Sequence, residues 1–182
     1  MAASREPILI LTGAPGSGKT TVARLLAARA DRAVHVESDC FFHFIAGGHV
    51  DPWKPESHEQ NTTVMRILGE VAVGYGRAGY QTIVDGIIIP GWFFEPLRDE
   101  IDASGFDVAY AVLRPPLAVA VERAAGRRSS RLSDAAVVEQ LWNNFSDLGA
   151  LERHAIEITK QQTAEQTAEL VTERLQERTL TT

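Results

Sequence analysis

Five short apolar runs separated by helical patterns predict an α/β protein in three layers, a parallel sheet with helices on both faces. The runs are Ile8–Leu11, Ala33–Glu37, Thr82–Val84, Val108–Leu113 and Ala155–Ile158. Each is too short for a buried helix and apolar enough for a strand covered on both sides. Strands that alternate with amphipathic segments imply crossover connections, which are right-handed as a rule. A third observation agrees: a glycine-rich turn joins the first run directly to the first helical segment.

In chain order, the first helix is predicted from Gly18 to about Ala30, with Val22, Leu25, Leu26 and Arg29 forming one face and its edge. A mixed region, Cys40 to Glu56, follows the second strand and holds Gly47-Gly48 and the Asp51-Pro52-Trp53 turn. The long helix from about His58 to Arg77 presents Val64, Ile67, Leu68 and Val71. Pro90-Gly91 follows the third strand, and then an aromatic helix runs from Trp92 to about Ala103. Pro116 stands in the first turn of the next helix, to Ala125, where proline is tolerated. Ser133 is placed as the N-cap of a helix from Asp134 to about Leu148. Thr163-Ala-Glu-Gln166 reads as a capping box opening the last helix, which ends near Arg178.

The segment Gly13-Ala14-Pro15-Gly16-Ser17-Gly18-Lys19-Thr20 satisfies G-x-x-x-x-G-K-[ST], between a buried strand and a helix, as that motif requires. Its glycines let successive backbone N–H groups point into one concavity, and the following helix start, through Thr21, adds its positive end. A polyphosphate fits there. Lys19 would reach its β- and γ-phosphates, and the Thr20 hydroxyl would take a magnesium position.

Composition narrows the rest. A length of 182 residues suits one domain, 1–182, and 45% hydrophobic with 23% charged residues is ordinary for a globular chain. A net charge of −6 argues against wide contact with a nucleic-acid backbone. The single cysteine, Cys40, leaves no internal disulfide and no multi-cysteine zinc site. No apolar run approaches the ~20 residues of a membrane span and the first residues do not form a signal peptide, so the expected location is the cytoplasm. Oligomeric state leaves no trace in the sequence.

Four features taken in order, the phosphate loop, Glu37-Ser38-Asp39, Val84-Asp85-Gly86 and Glu122-Arg-Ala-Ala-Gly-Arg-Arg128, resemble the small P-loop kinases. The resemblance runs over about residues 8 to 175. It is to the group containing chloramphenicol phosphotransferase, zeta-type kinases and gluconate and shikimate kinases, with adenylate and cytidylate kinases further out. It implies a P-loop NTPase fold with strand order 2-3-1-4-5, ATP and Mg2+ as cofactors, a short lid at about 126–133, and acceptor-binding segments at about 40–62 and 86–100.

In an open α/β sheet the ligand crevice lies beyond the carboxyl ends of the strands, so the phosphate loop, Asp39 and Asp85 converge there. Asp85 closes an apolar run as a magnesium-holding acid does; a cap on the following turn is the plainer alternative. Asp39 matches the acid that positions the acceptor hydroxyl and takes its proton, and it also suits the N-cap of a following helix. Glu37 shares a strand face with Asp39 and competes with it as the base. In the resembling kinases the arginine segment starts the lid. Arg123 would stack on adenine, while Arg127, with Arg131 beyond it, would meet the charge on the γ-phosphate.

The acceptor half differs from nucleotide kinases. Where those enzymes carry arginines for an acceptor phosphate, this chain has Phe42 and the stretch Ile87-Ile88-Ile89-Pro90. Trp53 and Trp92, beside turn prolines, are placed with Phe42 and Asp39 at the acceptor, although aromatic residues in such segments also serve as core. His43, His49 and His58 fit no metal spacing. The function implied is transfer of the ATP γ-phosphate to a hydroxyl of a small molecule: a metabolite, nucleoside or antibiotic. The alternatives are a nucleoside-monophosphate kinase and a nucleotide-binding regulator without acceptor chemistry.

Overall fold

A computed structural model of the chain describes residues 6–126 and 131–182. Its centre is a five-stranded parallel sheet in the order β2-β3-β1-β4-β5, as the kinase resemblance implies. The strands are β1 (Ile8–Thr12), β2 (Ala33–Glu37), β3 (Gln81–Gly86), β4 (Val108–Arg114) and β5 (Ala155–Glu157).

Side-chain alternation along each strand divides the core in two. Ile8 and Ile10 of β1, Val84 of β3 and Tyr110 and Val112 of β4 face α3 (His58–Arg77) and α4 (Phe94–Ala103). Leu9, Leu11, Ile83, Ala111 and Leu113 face α1 (Lys19–Arg29) and α7 (Ala164–Gln176). The register pairs Glu37 with Asp85 and His35 with Ile83, so His35, Glu37 and Asp85 all stand on the α1 side, above the start of that helix. The chain end covers an exposed stretch of sheet edge: β5 pairs only with Val112–Arg114, and the N–H groups of Tyr110 and Thr182 bond the carbonyls of Leu180 and Val108 across the rest of β4.

Several element boundaries differ from the sequence reading. A one-turn helix, α2 (Asp39–His43), opens the mixed region, with Ser38 at its cap position; Asp39 lies inside the first turn, so the alternative role of Asp39 as N-cap is not taken. In α3 the inward row contains Val64, Met65, Leu68 and Ala72, while Ile67 is 45% exposed and Val71 is half-buried. Helix α4 begins at Phe94, since Trp92 and Phe93 are taken up in a turn on the carbonyl of Ile89. Asp134, not Ser133, caps α6 (Ala135–Asn143), its carboxylate accepting from the N–H groups of Ala136 and Val137. That helix stops five residues earlier than expected, and a 3-10 turn, Gly149–His154, leads into β5. The Thr163 capping box is present as expected.

Candidate functional site

The loop between β1 and α1 has the features of an anion cradle. Gly16 has φ +79°, and a Cβ there would lie 2.1 Å from the carbonyl oxygen of Ala120 in α5 (Leu117–Ala125), so backbone packs on backbone with no room for a side chain. Gly18, at φ +92°, is the cap residue of α1. Helices α6 and α7 begin with side-chain caps; α1 has none, has no acidic residue in its first turn, and places Lys19 at its first position. A cation at the positive end of an uncapped helix works against local stability. It works for an anion held among those N–H groups. Lys19 is buried, its ammonium donating to the carbonyl of Ala14 at 3.4 Å, and the hydroxyl of Ser17 is buried without a partner among the described residues.

Gly13, Ala14, Pro15 and Gly16 are buried in the loop, and Thr21 is exposed on the first turn of α1. Pro15, Lys19 and Thr20 line one cleft together with Glu37, Asp39 and Asp85. The convergence expected at the strand ends is therefore present.

The acids in this cleft have different surroundings. Asp85 is 3% exposed; its Oδ2 accepts a hydrogen bond from the His35 Nε2–H at 3.1 Å, and its Oδ1 is buried with no partner among the described residues. An unpaired carboxylate oxygen under a phosphate cradle suits magnesium, which binds through one or two carboxylates together with substrate phosphates. Among the described residues no cluster of three His, Cys, Asp or Glu side chains could hold a metal on its own. Thr20 and Asp85 are the residues that would hold magnesium beside a bound triphosphate. Glu37 accepts from the Arg24 guanidinium at 3.0 Å. Asp39 is exposed, on the first turn of α2.

A second cavity, of about 270 Å3, adjoins the cleft. Asp39, Ile87 and Leu132 line both spaces. The second is walled by Phe42, Trp53, Trp92 and Phe93, with Met65, Ile89 and Leu141 behind and His43 and His49 at its polar margin. The indole of Trp92 stacks on Phe93 with centroids 5.2 Å apart and planes within 3°, and Phe93 meets Phe42 edge-on at 6.4 Å.

Two polar clusters fix this cavity's walls. After β3, the Ile88 N–H donates to Thr12 Oγ1 at 2.8 Å, and the Tyr110 hydroxyl donates to the Ile88 carbonyl at 2.8 Å. The stretch carrying Ile87 and Ile89 is thereby tied to the end of β1 and to Tyr110 of β4. Burial pushes the Tyr110 phenol well above its usual range, so it remains a donor. The loop carrying His49, Pro52 and Trp53 is pinned to α3. Gln60 bonds both the N–H and the carbonyl of Val50, at 2.8 and 2.6 Å, and Asn61 donates to the Pro52 carbonyl and to Ser57 Oγ, each at 2.8 Å.

The structure brings together most of the expected site residues. Phe42, Trp53 and Trp92 line the cavity, while His58 starts α3 and does not line it. Lys54 pairs with Asp51 at 3.6 Å, and Arg66 is exposed on α3, away from the cavity. Arg123 is exposed in the last turn of α5. Its neighbour Glu122 pairs at 3.4 Å with Lys160 in the loop after β5. Arg127 lies outside the described residues, as does half of the expected lid, 127–130, and of Arg131 only its place in a 3-10 turn, Arg131–Ser133, is described.

The sequence reading missed His35, Gln60 and Asn61. His35 shares a strand face with Glu37, and that spacing was its signal. Asn61 stands three, four and seven residues before Val64, Met65 and Leu68, a polar side chain in an inward row. A buried amide in such a row is always worth a partner search.

The AAA domain model AAA_33 matches residues 8–151, most of the chain and the whole arrangement from the phosphate loop to α6. The chain belongs to that family. No curated protein matches it by sequence. Among solved structures it is similar to a sugar kinase from Janibacter sp. HTCC2649, with TM-score 0.70 and 21% identity over 93% of this chain and 94% of that one. The tunicamycin resistance protein of Deinococcus radiodurans gives TM-score 0.69 and 21% identity over 94% and 96%. The APS kinase of Mycobacterium tuberculosis, in complex with AMPPNP and APS, gives 0.65 and 18% over 96% and 99%. The AAA_33 chain therefore has a kinase-like P-loop fold, and the expected likeness to small P-loop kinases holds.

Proposed function

We propose that this chain is an ATP- and magnesium-dependent phosphotransferase acting on a hydroxyl of a small molecule. The observation that carries the reading is Asp39, the one carboxylate among the described residues that lines both the phosphate-loop cleft and the aromatic cavity. A hydroxyl seated in the cavity reaches the donor past that group. Its oxygen forms a bond to the γ-phosphorus as the bond from that phosphorus to the β–γ bridging oxygen breaks. The hydroxyl proton passes to the Asp39 carboxylate, and ADP leaves with the electron pair.

Glu37 suits the base role less, because Arg24 already pairs with it. Magnesium, held by Thr20 and Asp85, would neutralise charge on the β- and γ-phosphates. Lys19 and the loop N–H groups orient the triphosphate. Arg123, in the last turn of α5, supplies a further cation in this reading.

The deciding experiment is a screen of small alcohols for phosphorylation from radiolabelled ATP, with Asp39→Asn as the blank. The expected loss in turnover is on the order of 10³-fold, with ATP affinity kept. Near-normal turnover in Asp39→Asn would remove Asp39 from the base role.

A further inference from the structure

We infer that the acceptor is a neutral alcohol with an apolar, ring-bearing body, and not a polyol, a sugar acid or a phosphate ester. This rests on the phosphotransferase reading and identifies the substrate class of that same site.

The argument is the chemistry of the wall. Among its described lining residues there is no Lys and no Arg; the polar groups are Ser38, Asp39, His43 and His49. Ser38 is buried, and Asp39 faces the phosphate-loop cleft as well. His43 stands one turn beyond Asp39 on α2, so the polar groups lie along one margin. Apart from the two indole N–H groups, the rest is apolar: Phe42, Trp53, Trp92, Phe93, Met65 and Ile89.

A sugar acid or phosphate ester would place its anion against rings and beside a carboxylate, with no Lys or Arg among the described lining residues to offset its lost hydration. A polyol would leave most of its hydroxyls unpaired, and a buried unpaired hydroxyl is costly. An apolar ring loses only water that it holds weakly, and the parallel faces of Trp92 and Phe93 offer ring contact. The cavity of about 270 Å3 is at the small end of pockets that bury drug-sized molecules. Its walls are also fixed in advance, by Thr12 and Tyr110 on one side and by Gln60 and Asn61 on the other. Discrimination by shape is then open to it, without closure of a loop over each new ligand.

The test is calorimetric titration of the full chain, with a non-hydrolysable ATP analogue bound. The probes are 2-(naphthalen-2-yl)ethanol, D-gluconate and AMP. The naphthyl alcohol is expected to bind at least tenfold more tightly than either anion, with a negative heat-capacity change. Trp53→Ala is expected to weaken it about tenfold, the loss expected when an aromatic contact of over 1 kcal/mol is removed. Trp53 is 43% exposed, so the variant should fold, and thermal melting verifies that it does. Phe44→Ala, at an exposed ring outside this cavity, should bind as the unaltered chain does.

Tighter binding of gluconate or AMP, no binding of the naphthyl alcohol, or an unchanged affinity in folded Trp53→Ala would each overturn the inference. The two readings fail separately. Phosphate transfer to a polyol would keep the phosphotransferase and sink the apolar acceptor. Ring-alcohol binding without transfer to any alcohol would do the reverse.

Discussion

The two spaces that meet at Asp39 are built by opposite means. The phosphate-loop cleft uses backbone: glycines with positive φ, the N–H groups of an uncapped helix, and one short stretch of chain from Gly13 to Thr20. The aromatic cavity uses side chains from separate parts of the chain: α2, the loop pinned to α3, the turn after β3, and α6. A site made of backbone recognises what all nucleoside triphosphates share, and substitutions elsewhere leave it alone. A site made of converging side chains can be recast residue by residue while the strands beneath it stay the same.

The strongest way to break the comparison, after Asp39→Asn, is Gly16→Ala. The added methyl would meet the Ala120 carbonyl, and the φ of +79° is strained for any L side chain. Strain of about 1–3 kcal/mol is expected, and nucleotide affinity should fall roughly 10- to 100-fold. Calorimetry with ATP and thermal melting measure the two parts. An unchanged ATP affinity would mean that the loop does not need its backbone path.

His35→Ala should have the next largest effect. In the magnesium-dependent reading His35 would act through Asp85, whose Oδ2 it holds while Oδ1 is left without a partner among the described residues. Partners of metal-binding carboxylates commonly carry 10–100-fold in metal affinity. A rise of about tenfold in the magnesium needed for binding a fluorescent ATP analogue is expected. His35→Gln, which keeps an N–H donor, should recover part of it. A purely structural His35 would lower the melting temperature and leave the magnesium requirement alone.

The same contrast explains what could be read from the sequence. Gly13 to Thr20 was legible because a backbone cradle demands glycines at fixed places and lies within one continuous segment. Asp39 and Asp85 were legible because the sheet's topology dictates where strand ends point. Trp53, Trp92 and Phe42 could be read only as a group of aromatics near those ends. Nothing in their spacing states that they share a wall. The pairing of His35 with Asp85 was not legible, although the strand-face spacing of His35 to Glu37 was, because the two partners are fifty residues apart on neighbouring strands. The shift of the α6 cap from Ser133 to Asp134 has a local cause: two adjacent residues were both good caps, and the carboxylate reaches two N–H groups.

Asn61→Ala acts on the acceptor side alone. It removes the donor to the Pro52 carbonyl and to Ser57 Oγ and so frees the loop bearing Trp53. Binding of the naphthyl alcohol should weaken by roughly fivefold, about the worth of one net hydrogen bond, with ATP affinity unchanged. Equal losses at both sites would mean that α3 supports the two halves together.

The smallest effect concerns pH and a residue beneath the acceptor wall. His154 is 0% exposed, Arg153 Nε–H donates to its Nε2 at 3.1 Å, and its ring meets Tyr110 edge-on at 6.0 Å. Burial, and then the charge of Arg153, hold its pKa below the usual 6.5. Above about pH 6.5 the ring is neutral in both folded and unfolded chains, and its proton costs nothing. As pH falls through that value the unfolded chain takes up a proton that the folded chain refuses, so stability drops until the folded pKa is reached. Melting at pH 8 and pH 5.5 should show the loss, at roughly 2–4 °C for each kcal/mol. His154→Gln should reduce the difference. Because Tyr110 also holds the Ile88 carbonyl, acidification should weaken naphthyl-alcohol binding before it weakens ATP binding. Loss of both affinities in step would mean that His154 supports the sheet as a whole and has no preference for the acceptor wall.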